Sequence, residues 1–223
     1  MTHSNLSRFL QCFADVLDRE GQPVAKSHAK RLRYLQSRLS ALQDVPAARV
    51  PVQTSCEAEL RTYASGCQLA DALSRLMPAL HLTRSETYLA APPSADFGNN
   101  YGYGVICGPE SGPPALIKDS EISFGLMFLG PATHYPLHSH PADEIYYAVT
   151  GPSFWRTGDD AWSSRQAGEI IHHPSWIPHA TLAADRPLVL LYVWQGDLDT
   201  DAAFLPDWMA SDSTLTTQGA GSK

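Results

Sequence analysis

Cysteine is scarce and unpatterned in this chain. The 223 residues hold four, Cys12, Cys56, Cys67 and Cys107, and none forms a C-x-x-C pair. A sequence of this length with so few is no disulfide scaffold, and free thiols in a reducing compartment are expected. Long apolar runs are also missing. No stretch approaches the ~20 apolar residues that a membrane-spanning helix needs. Met1 to Glu20 is amphipathic, carries Asp15, Asp18 and Glu20, and lacks the apolar segment of a signal peptide. A soluble, cytoplasmic protein with no membrane partner is the expectation. Positive charge is in short supply as well. The net charge of -7 argues against a nucleic-acid partner. The one basic stretch, Lys26 to Arg38, reads as a solvated helix face. No internal repeat is visible.

What is present divides near residue 83. Before it the apolar period is helical. Leu6, Phe9, Leu10, Phe13, Val16 and Leu17 follow one stripe, and Leu32, Leu35, Leu39 and Leu42 a second. Gly21 to Pro23 separates the two helices. Thr54 is placed to cap a third, with Glu57 completing a capping box, and that helix is expected to run to Ala64. A fourth is expected from Cys67 to Met77, stopped by Pro78. After residue 83, Gly and Pro punctuate short runs rich in aromatic and β-branched residues. Ile122 to Leu129, Glu144 to Val149, Phe154 to Thr157, Glu169 to His172 and Leu188 to Trp194 read as strands, with a turn at Gly158-Asp159-Asp160. Many short strands indicate a sandwich or barrel. The expected organisation is a helical region over 1–83, a β-barrel over 84–210 and a disordered tail over 211–223.

The chemistry concentrates between His134 and Tyr147, which packs three imidazoles, two carboxylates and three phenols into one segment. Alternate residues of a strand share a face, so His138, His140, Glu144 and Tyr146 could enter one cavity. His179 would arrive from another strand after the rigid Ile177-Pro178 step. Three imidazoles and a carboxylate suit one divalent transition metal, and Zn, Fe, Mn, Co and Ni are all compatible. Such a set leaves coordination positions open, as a catalytic site requires. Tyr146 is either a buried tyrosine with a satisfied hydroxyl or a proton-transfer group beside the metal. Tyr147, of opposite parity, should point outward. His134 could be a loop residue, a partner behind the ligands or an alternative ligand. For His172 and His173 a structural or surface role is favoured. Tyr135, Trp155, Trp162, Trp176, Tyr192 and Trp194 are either barrel core or, by cation–π contact, walls for a cationic ligand.

Two motifs carry a resemblance. Gly130, His138-x-His140-x-x-x-Glu144 and Gly151 resemble the first motif of the cupin superfamily. Gly168, Pro174-x-Trp176-x-x-His179 resembles the second. There are departures: Trp176 stands where the motif usually has Gly, Ala183 where it often has Asn, and the Gly130 to His138 interval is slightly long. The resemblance covers about residues 120 to 195 and implies a mainly β fold, a cupin-type β-barrel behind an N-terminal α-helical region. Within that superfamily, His134-Tyr135-Pro136 followed by His138-x-His140-Pro141-Ala142-x-Glu144-Ile145-Tyr146 looks like the cupin-type dimethylsulfoniopropionate (DMSP) lyases, and is most similar to the L-type bacterial enzymes. The resemblance implies that His138, His140, Glu144 and His179 hold the metal and that Tyr146 is the catalytic base. It implies a small zwitterionic sulfonium substrate, cleaved to dimethyl sulfide and acrylate. Tyr135, His134, Trp155, Trp176, Tyr192 and Trp194 are the candidate substrate contacts. A non-haem metal dioxygenase of the same fold, which would require oxygen, and a non-catalytic small-molecule-binding cupin are the alternatives. The N-terminal helices could cap the barrel, cover the pocket or pair two subunits into a homodimer.

Overall fold

The first apolar stripe forms helix α1 (Thr2–Arg19), which buries Leu6, Phe9, Leu10, Phe13 and Leu17 completely. Gly21 takes left-handed backbone at φ 77° and lets the chain reverse into α2 (Pro23–Ser37). Arg33 on α2 pairs with Asp15 and Asp18 of α1, an exposed contact of small energetic weight. Arg31 does more than decorate a solvated face. It reaches Asp119 at 2.6 Å and Glu121 at 2.9 Å, tying the helices to a loop of the β region. Helix α3 (Gln53–Ala64) starts one residue before the expected Thr54 cap. Val50 and Val52 are buried, and the Gln53 amide donates to the Val50 carbonyl, so packing sets the helix entry and leaves Thr54 inside the first turn. Helix α4 (Gln68–Leu76) passes into a short 3-10 turn, Met77–Ala79, that contains Pro78. The computed structural model describes residues 1–37, 39 and 42–205, so the expected tail over 211–223 lies outside the described residues.

The remainder is β-rich. Two short helices, α5 (Glu86–Ala90) and α6 (Phe97–Asn100), follow β1 (Leu82–Thr83). The strands are then β2 (Tyr101–Gly108), β3 (Ile117–Lys118), β4 (Ile122–Leu129), β5 (His134–Ser139), β6 (Asp143–Ala148) and β7 (Ser153–Thr157). They continue with β8 (Ser163–Arg165), β9 (Ile170–His173), β10 (His179–Ala183), β11 (Leu188–Gln195) and β12 (Ala203–Phe204). One sheet has the order β1-β2-β4-β11-β6-β9, with β3 parallel to β2; the other has the order β12-β5-β10-β7-β8. Apart from β3 the pairing is antiparallel, which is the cupin-type barrel implied by the two motifs. All five strands read from the sequence are present. Strand β2 was not legible, because glycine at 102, 104 and 108 weakens a strand pattern. The fold needs those glycines: a Cβ on Gly104 would meet a Leu82 methyl at 2.7 Å, and one on Gly102 a Val50 methyl at 2.7 Å.

The first sheet has two buried faces. Its outer face joins the helices in one apolar core, in which Phe13 of α1 meets the Tyr147 ring at 6.3 Å. Tyr147 thus points away from the barrel interior as expected, yet it is only 6% exposed because the helices cover it. The inner face belongs to a second core inside the barrel, built from Tyr101, Met127, Leu129, Tyr146, Trp155, Ile171 and Tyr192. Strand alternation between these two cores is what aims Glu144 and Tyr146 inward.

Candidate metal centre

Strand β5 delivers the first ligands, and it does so through an irregularity. On the neighbouring β10, His179 and Thr181 are two residues apart, but their partners on β5, His138 and Tyr135, are three apart. The extra residue is a β-bulge in the Tyr135-Pro136-Leu137 segment, where Pro136 has no amide to contribute to the ladder. The bulge lets Tyr135 and His138 face the same interior, their rings 4.3 Å apart. It turns His134 the other way, against the Trp162 ring at 5.7 Å.

His138, His140 and His179 converge inside the barrel, each no more than 2% exposed, with one ring nitrogen from each lying within 4.8 Å of the others. Their outer nitrogens are all engaged. Nδ1 of His138 lies 2.7 Å from the Pro136 carbonyl, Nδ1 of His140 3.1 Å from Ala142, and Nδ1 of His179 2.9 Å from Ile177. A carbonyl only accepts, so each Nδ1 carries a hydrogen, which leaves Nε2 of each ring as the nitrogen available to a metal. Backbone carbonyls holding the far nitrogen are the usual support of metal-bound histidine. Burial, followed by the neighbouring His179, pushes His138 well below the ordinary imidazole range, which favours the neutral ligand form.

Glu144 lies beside this triad. Its Oε2 lies 3.1 Å from His140 Nε2 and 3.2 Å from His179 Nε2. The second of these is not aligned as a hydrogen bond, and His179 Nε2 is buried without a donor among the described residues. Lone-pair nitrogens and a carboxylate oxygen at these distances repel unless positive charge sits among them. Burial works against the Glu144 charge, and hydrogen bonds from His140 and His179 outweigh it and hold the carboxyl well below its usual range; with those two Nε2 lone pairs free, a bound cation would have to take over that role. The buried His138, His140 and His179 triad could hold a divalent transition metal, and the Glu144 carboxylate beside it fits the same donor chemistry.

A cavity of about 620 Å3 opens onto this cluster at Tyr135, Glu144, Tyr146 and Trp194. Tyr88, Tyr101, Tyr103 and Tyr192 add aromatic wall. The Tyr146 hydroxyl faces Glu144, and burial first, then the Glu144 charge, push it well above the ordinary phenol range. Of the six candidate substrate contacts, Tyr135, Tyr192 and Trp194 line the cavity and three do not. His134 is turned away by the bulge. Trp155 is 1% exposed and stands behind Tyr146, ring to ring at 5.1 Å, so the tyrosine screens it from the cavity. Trp176 is 59% exposed, with its indole outside the barrel. Its φ of 63° explains why glycine is usual there, and its amide donates to the His140 carbonyl at 2.8 Å.

The sequence profile of dimethylsulfoniopropionate lyases matches residues 24–190. The chain belongs to the DMSP lyase family. DMSP lyase DddQ of Ruegeria pomeroyi is 34% identical over 114 residues, 51% of this chain and 55% of that protein. The DddL protein of Cereibacter sphaeroides is 28% identical over 200 residues, 82% of this chain and 78% of that protein. The chain thus aligns with little more than half the length of the first relative. Among solved structures, a chain from the crystal structures of DMSP lyases RdDddP and RnDddQII superposes with a TM-score of 0.68. It covers 92% of this chain and 100% of that one at 21% identity, which shows the fold.

In this member of the DMSP lyase family, two groups near the site had not been assigned to it from the sequence: His173, given a structural or surface role, and three tyrosines. His173 is fully buried and stacks flat on His179, centroids 4.0 Å apart and planes 9° apart. It lies across from Glu144 in the β6–β9 pairing, so the inward parity of Glu144 was the signal that could have found it. Tyr88, Tyr101 and Tyr103 were also unread. The Tyr101-x-Tyr103 alternation was the available signal for two of them. Tyr88 comes from α5, and only tertiary packing brings it to the Tyr135 hydroxyl, 3.1 Å away. No helix among the described residues is long and apolar enough to cross a membrane.

Proposed function

We propose that this protein is a metal-dependent carbon–sulfur lyase that cleaves DMSP to dimethyl sulfide and acrylate. The observation that carries this reading is the convergence of three buried imidazoles, the Glu144 carboxylate and the Tyr146 phenol at the end of one aromatic cavity. Tyr146 is the base, and the pressure against its ionisation is part of the argument. The phenolate needs compensating positive charge, and a bound divalent metal supplies that charge together with an electrophile for the substrate carboxylate. Tyr146 Oη takes the α-proton. The electron pair of the broken C–H bond becomes the new Cα–Cβ π-bond, and the Cβ–S pair leaves on sulfur. Dimethyl sulfide departs neutral, so no general acid is required. Tyr135, Tyr192 and the tyrosines beside them supply an aromatic wall that suits a sulfonium and excludes water. Trp155 braces the base from behind.

The test is direct. Metal-loaded protein is incubated with DMSP without oxygen, and the headspace is assayed for dimethyl sulfide. Release is expected, and Tyr146→Phe should lower turnover by about 10^2-fold or more with metal content unchanged. No release from the metal-loaded wild type overturns the reading.

A further inference from the structure

Glu144 has two oxygens, and the fold treats them differently. Oε2 faces the Nε2 atoms of His140 and His179. Oε1 accepts a hydrogen bond from the Trp194 indole N–H at 2.6 Å, short even for a charged acceptor. The indole is fixed twice over. Trp194 lies directly across from Glu144 in the β11–β6 pairing, and its ring stacks on His140 with centroids 4.2 Å apart and planes 29° apart. Swinging the indole off Oε1 therefore also breaks its contact with His140. Glu144 is 1% exposed, so solvent offers Oε1 little in replacement. Indole has a single donor and no acceptor, which makes the contact one-directional.

We propose that Trp194 is a positioning residue that holds Glu144 as a one-oxygen donor to the metal and so keeps coordination positions free for the carboxylate of the substrate. A carboxylate that offers both oxygens fills one more position than a carboxylate that offers one. With the N–H removed, Oε1 loses its hydrogen bond, and the groups left to compensate it are the metal and the Tyr146 hydroxyl that faces Glu144. Glu144 then competes with the incoming carboxylate. Trp194 lines the cavity, but its main task is exerted through Glu144. This inference rests on the metal reading of the site and not on the identity of the reaction.

The test uses Trp194→Phe, which keeps an aromatic ring over His140 and removes the donor. A second replacement puts the benzothiophene analogue of tryptophan at 194 by non-natural incorporation, preserving shape while losing the N–H. Both proteins are loaded with Co(II), and the visible d–d spectrum is recorded before and after titration with acrylate. Weaker bands are expected in both variants, indicating higher coordination number, and acrylate affinity should drop about tenfold. Where the wild type turns over DMSP, KM should rise by about the same factor while kcat changes less. Wild-type spectra and wild-type acrylate affinity in both variants overturn the inference. Loss of Co(II) affinity with an unaltered spectrum overturns it too, because that is the signature of support without control of denticity. A wild type that binds Co(II) and acrylate but releases no dimethyl sulfide defeats the lyase reading and leaves this one standing.

Discussion

His28 should make the fold acid-sensitive by a calculable amount. It lies on α2, is completely buried, and neither ring nitrogen has a hydrogen-bond partner among the described residues. Burial lowers its pKa from 6.5 to about 4, with Asp143 pulling weakly upward and His172 downward. The folded state thus keeps the ring neutral while the unfolded chain binds a proton. Stability from this group is complete above about pH 6.5 and is lost progressively as pH falls toward 4. The full effect is about 3 kcal/mol, and about 2 kcal/mol of it falls between pH 7 and pH 5. For a protein of this size that is a drop in Tm of about 4–8 °C. The assay is denaturant and thermal unfolding at pH 7 and pH 5, with chelator present so that acid release of metal does not enter. His28→Leu should remove this part of the difference, and at pH 7 it should cost little because no hydrogen bond is broken. A leucine variant that loses as much stability as the wild type between the two pH values would refute the assignment.

Two further outcomes follow from the geometry. A Cβ on Gly125 would sit 2.0 Å from the Gly104 carbonyl oxygen and 2.8 Å from Tyr192 Oη, so Gly125→Ala should destabilise by about 1–3 kcal/mol or more in chemical denaturation. Metal should stabilise the fold by linkage: at a hundredfold excess over Kd the gain is about 2.7 kcal/mol, or about 5–11 °C in Tm. Chelation should reverse it, and His179→Ala should show no metal-dependent shift in a scanning melt.

The convergence of the candidate ligands was legible because it depends on local rules. His138-x-His140 needs only the two-residue period of a strand, and Glu144 returns to the same face after Pro141. The second motif then supplied His179 by spacing alone. Other parts of the site depend on pairings between distant segments. The burial of His173 is fixed by its position opposite Glu144, which the residues around 172 and 173 do not reveal. Tyr135 and His134 were both placed near the site, and the bulge decided between them. Trp155 belonged to the right barrel but stood one layer too deep, behind Tyr146. The helical stripes were legible, but not their target, which is the outer face of the sheet that carries Glu144 and Tyr146 on its inner side.

The bulge in β5 has a consequence for comparing this chain with its relatives. In a regular strand, one face is written entirely in residues of the same parity. Here the parity changes between Tyr135 and His138, so the cavity wall is spelled in odd numbers on one side of Pro136 and in even numbers on the other. The slightly long interval from Gly130 to His138 spans this change. A relative one residue shorter across that interval could keep every metal ligand in register and still present a different side chain to the substrate. In this barrel, a single-residue gap in an alignment is a candidate change of specificity rather than a trimmed loop.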